Sequence, residues 1–298
     1  MTAVTAIGNR RGVDGVALAC IAVTVLTWAS AFVAIRVGLR ALAPVELAAA
    51  RYLGAALPAG LYLVLRHRTV PDLRTLGRLA VIGLLFITIY ATLLNTGELT
   101  IAAGPASFIL NTMPVFVAVM AATLLGERFG AGGWIGTALS FAGVALIAAG
   151  DAAGLHLDTG AVLILGSAVC AAVASILQKP LLARMPALAV MAWVLILGAL
   201  PFLLVLPSTI GALAAAPAAV NASVLYLVLA PTTIGYATWA VVLKRLPAGR
   251  ASNFLYCVPP TATLIGFVWL GETPTTLGLI GAAMALAGVA VVNVTRRR

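Results

Sequence analysis

The chain has 298 residues, of which 63% are hydrophobic and only 9% charged. Soluble domains are about half apolar and about a quarter charged, so this chain cannot coat a water-exposed surface, and its hydrophobicity excludes intrinsic disorder. The net charge of +10 would suggest nucleic acid in a soluble protein; here it reads as membrane topology, and no nucleic-acid partner is expected.

A β-barrel would alternate apolar and polar residues along short strands, whereas the apolar runs here are long and continuous. The expectation is an all-α integral membrane protein. A hydrocarbon core takes about 20 apolar residues per helix, and windows bounded by Pro, Gly and charge predict ten transmembrane helices. They lie near 15–36, 45–65, 78–98, 103–125 and 132–150, then 160–180, 188–207, 222–244, 250–270 and 276–294. The connections are too short for a soluble domain. Arg10 and Arg11, an apolar run and Ala29-Ser30-Ala31 imitate a secretory signal. Removing that span would strand Arg296, Arg297 and Arg298 on the wrong side, so it is read as a span.

With ten spans both termini are cytoplasmic. Cytoplasmic segments then hold Arg10, Arg11, Arg66, Arg68, Arg74, Arg78, Arg128, Lys179, Arg184, Lys244, Arg245, Arg250 and the three terminal arginines, 15 of the 18 basic residues. That bias fits an inner (plasma) membrane protein. Arg36, Arg40 and Arg51 fall towards the far side, with Glu46, Glu98, Asp151, Asp158 and Glu272. Cys20, Cys170 and Cys257 lie in apolar runs and His67 and His156 in loops, so no disulfide framework, metal site or cofactor is expected.

The chain repeats. Ala106-Ser107 and Ala251-Ser252 lie 145 residues apart, and the same offset pairs Pro114 with Pro259 and Leu125-Gly126-Glu127 with Leu270-Gly271-Glu272. It also pairs Ile135-Gly136 with Ile280-Gly281 and Gly143-Val144 with Gly288-Val289, while Tyr90-Ala91-Thr92 meets Tyr236-Ala237-Thr238 at 146. Each half therefore carries five spans, and an odd number inserts the second half upside down. The predicted organisation is a tail over 1–14, a five-helix repeat over 15–150, its inverted copy over 151–294 and a basic tail over 295–298. Inverted repeats are a transporter signature, with the substrate site near the midplane between halves. No enzyme needs that architecture, and a membrane enzyme would require a nucleophile–base pair or metal ligands at membrane depth.

Ten spans in two halves, Trp28 in the first span, Pro44 leading to Arg51 in the second and two Pro-then-Leu-Gly-Glu helices resemble the drug/metabolite transporter superfamily. The paired helices point to its EamA branch. The resemblance spans residues 15–294 and implies a secondary carrier of small organic metabolites, many members exporting amino acids or toxic compounds, with a cavity between the halves.

Polar residues inside spans mark candidate sites. The fourth span carries Ser107, Asn111 and Thr112 before Pro114; the ninth carries Ser252, Asn253 and Tyr256 before Pro259-Pro260. Asn111 and Tyr256 are repeat equivalents, each one turn beyond the paired serine. Proline bends a helix, so Pro114, Pro259 and Pro260 are candidate hinges; the alternative is polar glue between kinked helices. Tyr90 and Tyr236 are also equivalents, with Asn95 beside the first and Trp239 beside the second, offering apolar faces with polar tips. Pro231 is expected to break the eighth span early, without a counterpart in the first half. Trp28, Ser30 and Gln178 read either as cavity lining or as packing.

Charge adds constraints. No acidic residue lies at mid-span, which disfavours cation/proton antiport, although Glu98 at the end of the third span could serve. Arg36 and Arg51 could attract a carboxylate or snorkel to headgroups. Anion exchange would predict basic residues deep in the cavity, and none is found at mid-span. Glu127 and Glu272 each precede a helix and are expected to complement its N-terminus. Gly136, Ser140 and Gly143 form a small-residue stripe, as do Gly281, Ala285 and Gly288, suited to close packing or to a homodimer surface. The expected function is alternating-access export of an amino acid or related neutral or zwitterionic compound, with a small-molecule substrate and membrane lipid as partners. A drug or quaternary-amine exporter and a sugar-phosphate-type exchanger are the alternatives.

Overall fold

The computed structural model describes residues 14–67, 70–101, 103–127, 130–149, 159–270 and 275–295. Arg10, Arg11, Arg68, Arg128, Asp151, His156, Asp158, Gly271, Glu272 and the terminal arginines lie outside the described residues. The elements are α1 (Gly15–Gly38), α2 (Pro44–Arg66), α3 (Leu73–Gly97), α4 (Ala103–Leu110), α5 (Met113–Leu124) and α6 (Ala131–Ala149). They continue as α7 (Thr159–Arg184), α8 (Ala187–Ala215), α9 (Ala218–Arg245), α10 (Ala248–Asn253), α11 (Val258–Leu270) and α12 (Thr276–Thr295). Among the described residues seven helical stretches are long and apolar enough to cross a membrane: α1, α2, α3, Ala106–Leu124, α7, α8 and α9. The shorter apolar stretches Ala131–Ile147 and Thr276–Val292 lie in α6 and α12.

The helix ends follow local chemistry. Asp14 caps α1, its Oδ1 accepting the Ala17 N–H at 2.7 Å and its Oδ2 pairing with Arg245 at 2.5 Å. The Ala17 N–H, helped by Arg245, holds the Asp14 carboxyl below the usual carboxylate range. Pro44 opens α2, where its missing N–H is harmless, and Glu46 accepts the Ala43 N–H at 3.0 Å. Pro201 and Pro207 likewise lie in the first turns of helical segments, a 3₁₀ stretch over Leu200–Val205 and the helix from Leu206. Helix α8 consequently runs on to Ala215, well past the expected end at 207.

One correction concerns winding. Pro231 does not break α9: the helix widens into a π turn over Val228–Ile234, and the Thr233 hydroxyl donates to the Val228 carbonyl at 2.7 Å. A π turn absorbs a residue that cannot donate to the regular ladder. A second π turn, over Leu84–Ile89 in α3, occupies nearly the same place before Tyr90 as the first does before Tyr236. Residues 111–112 form a turn between α4 and α5, and Phe254–Cys257 a 3₁₀ turn between α10 and α11. Both interruptions end just before prolines, which withhold a backbone donor.

Helices from the two halves of the sequence interlock. Helix α1 lies along α9 through Thr24–Thr238 (2.7 Å), Trp28 Nε1 to the Pro231 carbonyl (3.1 Å) and Ser30–Tyr226 (2.6 Å). Helices α2 and α3 pack on α8, where Thr88 donates to the Gly198 carbonyl at 2.6 Å. The most extensive helix contact joins α6 to α12. Gly136 faces Gly288 and Val292, Ser140 donates to the Ala285 carbonyl at 3.0 Å, and Gly143 faces Ala285 and Gly281. The sequence rises on one helix as it falls on the other, so the pair is antiparallel. Under the 145-residue offset Gly136–Gly288 becomes Gly281–Gly143, so the contact is its own image. The two small-residue stripes thus cover each other within one chain.

A polar seam closes the end that holds Asp14. Glu127 accepts the N–H groups of Ala248 and Gly249 at 2.8 and 3.1 Å. Its carboxylate therefore complements the N-terminus of α10, not that of the helix that follows it, because the chain folds α10 back onto this corner. Lys179 donates to the Leu243 carbonyl at 2.7 Å and to that of Leu246, and Lys244 to that of Met185 at 2.9 Å.

A Cβ at Gly288 would overlap the backbone of Gly136 and Ser140, so Gly288→Val should lower stability by about 1–3 kcal/mol. Gly60→Ala meets open space and should leave the melting temperature in detergent unchanged or higher; equal melting of both variants would contradict the packing assignment. Glu127→Ala removes two N-terminal acceptors and should cost about 1–2 kcal/mol, read in the same thermal assay.

Candidate functional site

A cavity lies between α1, α2, α3, α5, α7, α9 and the turn leading into α11. Its volume is about 60 Å³, room for a handful of waters. Its walls include repeat-related pairs: Leu110 with Leu255, Met113 with Val258, and Tyr90 with Tyr236. The two interrupted helices and the two π-turned helices place these residues on one space.

One wall is aromatic. Trp28 meets Tyr236 edge-on at 5.6 Å between centroids and Trp239 at 5.5 Å, while Phe86 stacks on Tyr236 at 5.0 Å and contacts Tyr90 at 5.9 Å. The Pro231 carbonyl, within the widened turn, accepts the Trp28 indole N–H, so the ring presents an apolar face with its polar tip engaged. Tyr236 and Tyr52 join hydroxyls at 2.8 Å.

Arg51 is the charged member of the wall. It is 4% exposed, its Nε donates to the Thr232 hydroxyl at 2.5 Å, and its guanidinium carbon lies 4.9 Å from the Tyr52 ring centroid. Among the described residues its two terminal nitrogens have no hydrogen-bond partner, and the ion pair between Asp14 and Arg245 is the only one. A buried guanidinium with an unpaired fork is suited to a carboxylate. Arg51 therefore turns into the protein rather than snorkelling, and a basic side chain lines the cavity although none lies at mid-span. The Tyr52 ring and the Thr232 hydroxyl hold the side chain inward. It lies seven positions beyond Pro44, about 10 Å along the helix axis, and that depth was the available signal. Phe86, apolar in an apolar helix, gave none.

Asn111 also lines the cavity. Its amide nitrogen donates to the Ser107 carbonyl at 2.7 Å, and its oxygen accepts no hydrogen bond from a described residue. The structure thus brings Trp28, Tyr90, Asn111, Pro114 and Tyr236 to one cavity with Arg51.

The other expected residues lie elsewhere. Ser30 bonds to Tyr226 and its own helix, and Thr112 donates to the Ile109 carbonyl at 2.7 Å. Asn95 donates to the Pro44 carbonyl at 3.0 Å and ties α3 to α2. Asn253 accepts from Thr137 at 3.0 Å and donates to the Gly249 carbonyl at 2.6 Å. Trp239 packs behind Trp28, and its buried indole N–H has no partner among the described residues. Among the described residues the Gln178 amide and the Tyr256 hydroxyl are likewise buried without a partner. Pro259 and Pro260 open α11 next to the lining residue Val258.

Comparisons with known proteins agree with this architecture. The chain is 40% identical to a probable terminal-alkyne amino-acid exporter of Streptantibioticus cattleyicolor over 91% of each chain. It is 33% identical to the uncharacterized transporter YdfC of Bacillus subtilis, covering 88% of this chain and 86% of the relative. A probable amino-acid metabolite efflux pump of Salmonella typhimurium is 31% identical over 89% of this chain and 90% of the pump. A solved crystal structure superposes with a TM-score of 0.76 over 95% of this chain and 98% of that one at 20% identity, showing a shared fold. The model of the EamA-like transporter family matches residues 15–149 and 158–294, and the chain belongs to that family.

Proposed function

We propose that the protein exports amino acids with apolar or aromatic side chains, and that the cavity around Arg51 is its binding site. The observation that carries this reading is the pairing of one unpartnered guanidinium with an aromatic wall. A carboxylate takes the two free nitrogens of Arg51, and the side chain lies against Trp28, Phe86 and Tyr236. The ammonium group points to the Asn111 oxygen. The relatives named as exporter and efflux pump support the same substrate class.

The carrier reading extends to architecture. Ten spans as two inverted five-helix repeats, 15–150 and 151–294, lie in the inner membrane with both termini cytoplasmic. The antiparallel, self-imaging α6–α12 contact supports inversion, because a two-fold axis along the membrane normal would leave the two helices parallel. Transport is by alternating access, with bending at the interruptions before Pro114 and before Pro259-Pro260. The seam of Glu127, Lys179 and Lys244 is then the cytoplasmic closure. The chain is a carrier rather than an enzyme. Arg51 supports a second reading, exchange of simple carboxylates, in which Asn111 has no charged partner.

Counterflow in proteoliposomes decides between them. Vesicles preloaded with phenylalanine, its keto acid, a quaternary amine or a sugar phosphate should accumulate label for the amino acid; accumulation of the keto acid alone would favour the second reading. Loss of one charge-assisted pair is worth about 1.5–3 kcal/mol, so Arg51→Gln should weaken apparent affinity by roughly 10- to 100-fold. Pro114→Ala should slow turnover while affinity holds; full turnover would remove the hinge role.

A further inference from the structure

Three helices line two separate spaces. On α7 the Arg51 cavity touches Ala171, while a recess at the Asp14 end of the molecule touches Leu182. The corresponding pairs are Tyr236 and Leu243 on α9, and Pro114 on α5 with Leu125 just after it. The three pairs are 11, 7 and 11 positions apart, so the members of each lie on one face of the helix. The two spaces are therefore stacked along the same helix faces, about 10 to 16 Å apart along the axes. The recess has a volume of about 350 Å³ and carries Glu127, Lys179 and Lys244 on its wall.

Between the two spaces lie polar groups with nothing to bond to. Gln178 is on the cavity face of α7, two turns beyond Ala171; it is fully buried, and neither end of its amide has a partner among the described residues. Trp239, one turn beyond Tyr236, is buried with its indole N–H unpaired in the same way. On α5 the positions one and two turns past Pro114 are Ala118 and Ala121, both buried, whose methyl groups offer no hydrogen bond. A buried amide with no partner loses its water and gains nothing, so an apolar residue of similar shape would suit this packing better. Lys179, the next residue, fastens the same place: it donates to the Leu243 and Leu246 carbonyls and ties α7 to the end of α9.

We propose that the cavity and the recess are the two ends of one path to the cytoplasm, running between α5, α7 and α9, and that Gln178 is its gate residue. The inference rests on the alternating-access reading above but not on the choice of substrate. In this structure the path is closed: Lys179 holds α7 against α9, and the polar atoms of Gln178 and Trp239 are buried away from solvent. When α7 and α9 part, water enters from the recess and supplies the hydrogen bonds that these groups lack. The unsatisfied amide thus raises the free energy of the closed form relative to the open one and helps the two to exchange. The small side chains of Ala118 and Ala121 leave room for a solute once the helices separate.

The test uses full-length protein in proteoliposomes and a small membrane-impermeant thiol reagent, with Cys20, Cys170 and Cys257 replaced by alanine. Lys244→Cys, exposed beside the recess, marks the face from which the path is entered. Leu177→Cys is the control: it lies at the depth of Gln178 but is 41% exposed on the outside of the bundle. A thiol in lipid does not form the reactive thiolate, so Gln178→Cys should react from the Lys244 face at least about tenfold faster than the control. Reaction no faster than the control, or only from the opposite face, would overturn the path. The second variant, Gln178→Met, keeps the shape and removes the unsatisfied amide. Its melting temperature should rise above that of wild type, and phenylalanine counterflow should slow by at least about threefold because the closed form is favoured. A melting temperature that fails to rise, or a turnover that fails to slow, would overturn the gate role. Labelling of Gln178→Cys from the Lys244 face, with no counterflow of any amino acid by wild type, would support the path and sink the amino-acid reading instead.

Discussion

A guanidinium buried in an apolar helix bundle is an expensive group to keep, and the proposed binding site depends on how Arg51 is kept. Desolvating a cation is tolerated when partners replace water. Here they are incomplete: one hydroxyl and one aromatic ring. The fork is left facing the cavity. A structural arginine in an apolar bundle is normally satisfied on every side, whereas a ligand-binding one is satisfied everywhere except towards its ligand.

The surrounding architecture supports that incompleteness. Helix α2 carries Arg51, but Thr232 comes from the π turn of α9, and the aromatic wall is assembled from α1, α3 and α9. The cavity therefore exists only because the two halves of the sequence interlock. The tight α6–α12 pair stands apart from it and requires glycine where a Cβ would strike backbone. One part of the molecule is built by close contact and another by interrupted helices, a division of labour that suits a rigid scaffold carrying a movable core.

Much of this was legible in the sequence, for definable reasons. The repeat register linked Tyr90 to Tyr236 and located Asn111 and Pro114, because a polar or helix-breaking residue in an apolar span is conspicuous. It also picked out the stripes that pack α6 on α12. What the sequence could not show was facing. Asn95, Asn253 and Gln178 are buried amides like Asn111, yet the cavity does not include them; Asn95 and Asn253 bond between and within helices, and the Gln178 amide has no partner among the described residues. The π turns were hidden: one surrounds Pro231, where a break was expected, and the other, over Leu84–Ile89, has no proline or polar pattern to mark it. Arg51 was visible but ambiguous, because a charge near a helix end reads equally as an interfacial anchor.

The central claim is that Arg51 recognises a carboxylate in the cavity. It is tested most directly by equilibrium binding of phenylalanine and of phenylalaninamide to wild type and to Arg51→Gln. The account predicts that wild type prefers the acid by at least about tenfold, the worth of roughly 1.4 kcal/mol, and that the variant loses the preference while still binding the amide. A wild-type protein indifferent to the carboxyl group, or a variant that keeps the full preference, would contradict it.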